Sequence, residues 1–197
     1  MQQTFKNIAL RDKGIKDRGI FSFYPKLNEE GSWYLNTTHK SKTLQMPFSV
    51  TKDNLAPTLN DQCPSAETPT NSHPLDAKIL CTKYEGECGL HKKSVPQLLA
   101  QKKPFAVLFA TPARCATNYC GPVLDLTLKA LKNRKIDVIH VEIYPDETSN
   151  KVLEAVKTWN LPSEPWMFGV DSSGKIISRL DGAFDQSEIE ELLDSLT

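Results

Sequence analysis

The chain has 197 residues, 24 Lys plus Arg against 24 Asp plus Glu, and 39% hydrophobic residues. That length holds one ordinary core and a smaller second one, and a formal net charge of zero argues against a nucleic-acid groove or an anionic membrane surface as partner. No apolar run approaches the roughly 20 residues of a membrane helix, and the stretch Met1 to Lys13 lacks the apolar centre of a signal peptide, so neither a span nor a leader is expected.

Residues 1–52 read as a small all-β segment. Gly19 to Tyr24, Gly31 to Thr37 and Leu44 to Val50 are rich in β-formers and are separated by Pro25, by Asn28 to Gly31 and by the polar turn Thr38 to Lys42. Three short strands rarely stand alone, so they are expected to close an immunoglobulin-like sandwich or to extend the main domain. From residue 53 to 93 the chain turns to Pro, Thr, Asn, Ser and Asp, which predicts a wrapping or tethering linker with a cysteine-bearing loop. Ser94 then caps a short helix, with Pro96 in its first turn.

Residues 94–197 carry the regular pattern of an α/β domain. Phe105 to Ala110 is a short uncharged run, the signature of a buried strand. Gly121-Pro122 opens a helix with Val123, Leu124, Leu128 and Leu131 at helical spacing. A second buried strand is expected over Ile136 to Tyr144, and a helix over Ser149 to Trp159 with Val152, Leu153, Val156 and Trp159 on one face. Trp166 to Asp171 and Lys175 to Leu180 are joined by a polar glycine turn that predicts a hairpin. Ser187 is expected to cap a last helix bearing Ile189, Leu192, Leu193 and Leu196.

Between the first strand and its helix lie Cys115 and Cys120. A sulfur at a helix start meets free backbone N–H groups and the positive end of the helix dipole, both of which favour the nucleophilic thiolate. Five residues along an ideal helix turn the side chains about 140° apart, so a bond between the two requires Cys115 to lie in the preceding loop. The pair reads as a redox couple, with a structural staple as the alternative, and the Gly-Pro context favours Cys120 as the attacking sulfur.

The order β-α-β-α-β-β-α, the cysteines at the first strand–helix junction and a proline before the third strand together resemble the thioredoxin superfamily over residues 94–196. Tyr119-Cys120-Gly121-Pro122-Val123 is similar to that family's Trp-Cys-Gly-Pro-Cys, with valine in place of the last cysteine, and Gly182 also fits the pattern. The resemblance implies a thioredoxin-like fold, a central mixed sheet flanked by helices. It also implies a cis-proline at Pro165 facing the active cysteine, and a protein dithiol or disulfide as partner. The family's buried acid has no counterpart in Ala106 to Ala110, which leaves Asp125, Glu142 and Glu164 as substitutes. The combination with an upstream β-segment looks like a group of bacterial thioredoxin-like proteins that are usually exported, which implies an extracytoplasmic location.

Cys81 and Cys88 flank a polar loop, and a local disulfide is the expectation there. Cys63 has no evident partner. His91 follows Cys88 by three residues, but the spacing matches no zinc finger or ribbon, so no metal and no other cofactor is expected; His140 reads as a partly buried strand residue. Three alternative functions remain. Pro112, Thr117 and Cys120 approach a peroxiredoxin pattern with one residue too many, a copper chaperone would need a different cysteine spacing, and a redox-silent binding module with structural disulfides needs neither.

Overall fold

The structure is a computed structural model that describes residues 3–5, 10–12, 19–21, 25–115 and 118–197. Chain contacts divide it into two compact units, the smaller ending at Asn54 and the larger comprising Leu55–Thr197 together with a short upstream stretch.

In the first 54 residues β1 (Leu10–Asp12) and β2 (Gly19–Phe21) form a two-stranded sheet. The expected strand continuation over Ser22 to Tyr24 lies outside the described residues. A hairpin follows, β3 (Gly31–His39) antiparallel to β4 (Lys42–Val50). Lys40 and Ser41 at its tip both have positive φ, 45° and 61°, the backbone twist that a two-residue hairpin turn requires. Opposed pairs share a face, so Trp33/Phe48, Leu35/Met46 and Thr37/Leu44 make one apolar stripe. The other face is polar, with Gln45 donating to Asn36 and Thr38 bonded to Thr43.

The larger unit is built on one mixed four-stranded sheet, ordered β6-β5-β7-β8. All five residues of β5 (Phe105–Phe109) are buried, as suits a central strand covered on both faces. The chain crosses through α2 (Cys120–Leu131) to β6 (Asp137–Val141), parallel to β5. On the other side β7 (Trp166–Val170) runs antiparallel to β5, and β8 (Ile176–Asp181) runs antiparallel to β7.

Strand alternation splits the core in two. Phe105, Val107 and Phe109 face Trp159, Phe168 and Ile176, joined by Val95 and Leu98 of α1 (Val95–Gln101) and by Ala155 and Val156 of α3 (Glu154–Thr158). Ala106, Leu108 and Ala110 face Val123 and Leu124 of α2 and Ile189, Leu192 and Leu193 of α4 (Gln186–Asp194).

Three element ends differ from expectation for identifiable reasons. Helix α3 begins at Glu154 rather than near Ser149, because the Asp146 carboxylate accepts the N–H groups of Thr148 and Ser149 and so offers that backbone an alternative to helix. Helix α4 is capped by Asp185 rather than Ser187, with Glu188 closing a reciprocal capping box. Helix α2 starts at Cys120 itself, one residue before the Gly-Pro pair.

Residues 55–93 contain no helix or strand but pack against the sheet. Ala56, Cys63, Ala66 and Ala77 are buried in the core. Asn60 donates to the Ile176 carbonyl at 2.8 Å, Cys63 to Gly174 at 2.8 Å and Lys78 to Pro145 at 2.7 Å. Main-chain hydrogen bonds thus stitch this segment to β8, to the turn before it and to Pro145, so it wraps the domain and is not a detached tether. Among the described residues no helix is long and apolar enough to cross a membrane.

Candidate active site and a second thiol cluster

Strand β5 ends at Phe109, and the chain turns through Thr111 to Arg114 before Cys115. The turn closes by Arg114 N–H donating to the Thr111 carbonyl at 3.1 Å. The Arg114 guanidinium donates to the Ser149 carbonyl at 2.6 Å and lies 4.2 Å over the Tyr144 ring, fixing the residue next to Cys115. Asn118, with φ 61°, donates to the Cys115 carbonyl, and α2 then begins at Cys120.

Cys115 therefore lies in the loop, as a bond to Cys120 demands, and the two sulfurs are at disulfide distance with Cα atoms 5.8 Å apart. The Cys120 N–H, one of the unpaired donors of the helix start, donates to the Cys115 sulfur at 3.3 Å. Both residues are buried, Cys120 at 0% and Cys115 at 8% exposed, so Cys115 is the less enclosed residue of the two.

Continuing the antiparallel register from Phe109↔Trp166 by two residues sets Thr111 opposite Glu164. The Thr111 N–H donates to a Glu164 carboxylate oxygen at 2.6 Å, and the same oxygen lies 3.3 Å from the Cys120 sulfur. Burial raises the Glu164 pKa above the usual carboxylate range, against the lowering effect of the Thr111 hydrogen bonds. Glu164 precedes Pro165 through a cis peptide bond, and the Pro165 carbonyl accepts the Gly182 N–H at 3.0 Å. Of the three acids the sequence offered, Glu164 is the one brought to the cysteines. Asp125 pairs with Lys83 at 3.6 Å on the surface, and Glu142 accepts both the N–H and the hydroxyl of Thr82. Thr117 lies outside the described residues, so the peroxide-binding alternative has no geometry here.

The second pair departs from expectation. Cys81 and Cys88 are not joined; both are free thiols. Their loop folds so that each sulfur has partners other than a bond to the other. The Cys88 sulfur lies 3.3 Å from His91 Nε2 and 3.4 Å from His140 Nδ1, and the Cys81 sulfur lies 4.0 Å from His140 Nδ1. The Cys88 N–H points to the Cys81 sulfur at 3.4 Å. The shared hydrogen bond between the thiols pulls the Cys81 pKa well below the usual thiol range and pushes that of Cys88 up, with burial adding to the rise at Cys88. His91 and His140 are buried, the latter completely. Local spacing could not reveal this group, because its fourth member comes from β6. Cys63 is buried away from both clusters, and burial pushes its pKa up to about 12, which makes it an inert thiol.

No protein-family model matches the chain, and no curated protein matches it.

Proposed function

We propose that the protein is a thiol–disulfide exchange protein whose larger unit has a thioredoxin-like fold, acting on a protein dithiol or disulfide through Cys115 and Cys120. The observation that carries this reading is the Glu164 carboxyl 3.3 Å from the Cys120 sulfur, beside a helix start and behind the more exposed Cys115. A staple needs no proton relay; an exchange couple does.

The chemistry runs as two displacements. A partner thiolate attacks the Cys115 sulfur, forming a partner–Cys115 disulfide while the Cys115–Cys120 bond breaks and its electron pair stays on Cys120. The helix start stabilises that departing thiolate, and Glu164 in its protonated form supplies a proton to it. A second partner thiolate then attacks the partner sulfur of the mixed disulfide, which releases oxidised partner and leaves Cys115 reduced. Run backwards, the same steps oxidise the protein and reduce a partner disulfide. The slightly greater exposure of the Cys115 residue supports Cys115 as the sulfur a partner attacks and Cys120 as the one that leaves, the reverse of the preference drawn from the Gly-Pro context. Pro165, next to Glu164, is the residue that the resemblance offers as an edge for partner backbone.

The test is trapping. With an unfolded protein that carries a disulfide as bait, the reduced Cys120→Ser variant should attack it through Cys115, releasing one bait thiol and accumulating a mixed disulfide at Cys115, mapped by mass spectrometry, and Cys115→Ser should accumulate far less. A wild-type reduction potential below about −300 mV, together with no trapped species, would mark a structural staple and defeat the proposal.

A further inference from the structure

We propose that Cys81, Cys88, His91 and His140 form a structural zinc(II) site that clamps the 81–91 loop onto β6 and onto the turn leading to Cys115. The inference is independent of exchange at Cys115 and Cys120.

One ligand atom from each of the four residues lies within 4.8 Å of the other three. A tetrahedral zinc, about 2.3 Å from sulfur and about 2.0–2.1 Å from nitrogen, holds sulfur and nitrogen about 3.6 Å apart. The observed sulfur–nitrogen separations of 3.3, 3.4 and 4.0 Å bracket that value. Three of the six separations thus suit a metal tetrahedron, and the other three lie within 4.8 Å.

The tautomer agrees. His140 Nε2 lies 2.9 Å from the Ala110 carbonyl oxygen, which can only accept, so Nε2 carries the hydrogen and the Nδ1 lone pair faces the two sulfurs. A carbonyl behind the far ring nitrogen is the usual way a metal-binding imidazole is oriented. Charge agrees as well. Two thiolates and two neutral imidazoles around a divalent cation make a group of no net charge, whereas two adjacent half-buried thiolates without a cation repel. Four protein ligands leave no open position, which makes the site structural, and an S2N2 tetrahedron favours zinc over harder cations.

The loop that the metal would close is tied to the exchange site. Thr82, next to Cys81, accepts the Ala113 N–H at 3.1 Å through its hydroxyl and donates to Glu142. His140 N–H donates to the Leu90 carbonyl at 3.2 Å, and Asn71 N–H to the His91 carbonyl at 2.8 Å. Gathering the four ligands would hold these contacts together, and with them the backbone from Ala110 to Ala113.

The full chain, purified under reducing conditions and stripped with chelator, should take up one equivalent of zinc. Cobalt(II) in its place should give the intense visible bands of a tetrahedral site with sulfur-to-cobalt charge transfer. Cys88→Ser and His140→Gln should each weaken cobalt binding more than about 100-fold, beyond the loss typical of an outer-shell change. The Cys115→Ser/Cys120→Ser double variant should bind normally, which separates this site from the exchange couple. Because His140 is buried, a measurement on the wild type stands beside its variant: zinc should shield Cys81 and Cys88 of the folded protein from alkylation mapped by mass spectrometry, and should shield neither once the chain is unfolded. No stoichiometric uptake by the reduced wild type, cobalt spectra unchanged in Cys88→Ser, or equal alkylation of Cys81 and Cys88 with and without zinc would each overturn the assignment.

Discussion

Replacing Glu164 with glutamine keeps the shape of the side chain and an oxygen for the Thr111 N–H, but removes the group that can pass a proton to Cys120. Positioned acid–base groups contribute about 10²–10⁴ in rate. Glu164 meets one of the two sulfurs through a single 3.3 Å contact, so the low end applies. A loss of about 10² corresponds to about 2.7 kcal/mol of barrier. The assay is single-turnover reduction of the oxidised protein by excess dithiol, acid-quenched, with rates divided by the thiolate concentration at each pH. Wild type should lose its advantage as pH rises through the raised Glu164 pKa, and the glutamine variant should be slow and flat throughout.

The same substitution has a signature in folding. The folded pKa lies above the ordinary value of 4.5, so between the two the native protein binds more proton than the unfolded chain. Stability from this group is therefore fully present below about 4.5 and is lost as pH rises through the folded value. Denaturation of the oxidised protein across that window should show this decline in wild type and not in Glu164→Gln. Weakening the charged Thr111 hydrogen bond costs about 1 kcal/mol, offset by no longer burying a charge, so the variant should remain folded. Equal thiolate-corrected rates in both proteins, or identical pH slopes of stability, would refute the role given to Glu164.

Arg114→Ala removes the 2.6 Å hydrogen bond to Ser149 and the stacking on Tyr144; thermal denaturation should show a loss of about 1–2 kcal/mol, with faster reaction of the Cys115–Cys120 pair with small thiols as its loop loosens. Gly174→Ala places a Cβ 3.0 Å from Gln62 Nε2 and 3.2 Å from Leu99 at a φ of +81°, so urea denaturation should register about 1–3 kcal/mol of destabilisation, with the exchange rate unaffected.

The sheet was legible because its strands are short apolar runs bounded by turn residues: Phe105 to Ala110 reads as a buried strand and Trp166 to Asp171 as one arm of a hairpin, and the strands there, Phe105–Phe109 and Trp166–Val170, are buried throughout. Helix limits were less legible where side chains compete for backbone, as Asp146 does ahead of α3. The segment from residue 55 to 78 resembled a linker because small and polar residues dominate it. Its order comes from backbone pairing with β8 and from alanines in the core, features that composition does not encode.

The sites divide along the same line. Cys115 and Cys120 were legible because a strand–helix junction places them, but the acid that serves them follows from register. Only the antiparallel pairing of β5 with β7 sets Thr111 opposite Glu164 and chooses it over Asp125 and Glu142. The surroundings of Cys81 and Cys88 were not legible for a related reason: local spacing shows two thiols and one histidine, and the parallel β5–β6 pairing brings His140 in from far along the chain. The neighbours then separate the chemistry of two similar cysteine pairs. A carboxyl beside Cys120 would suit the leaving sulfur of the proposed exchange, whereas the His140 Nδ1 lone pair and the His91 ring beside Cys81 and Cys88 would suit the proposed cation. The two proposals accordingly assign metal binding to Cys81 and Cys88 and electron exchange to Cys115 and Cys120.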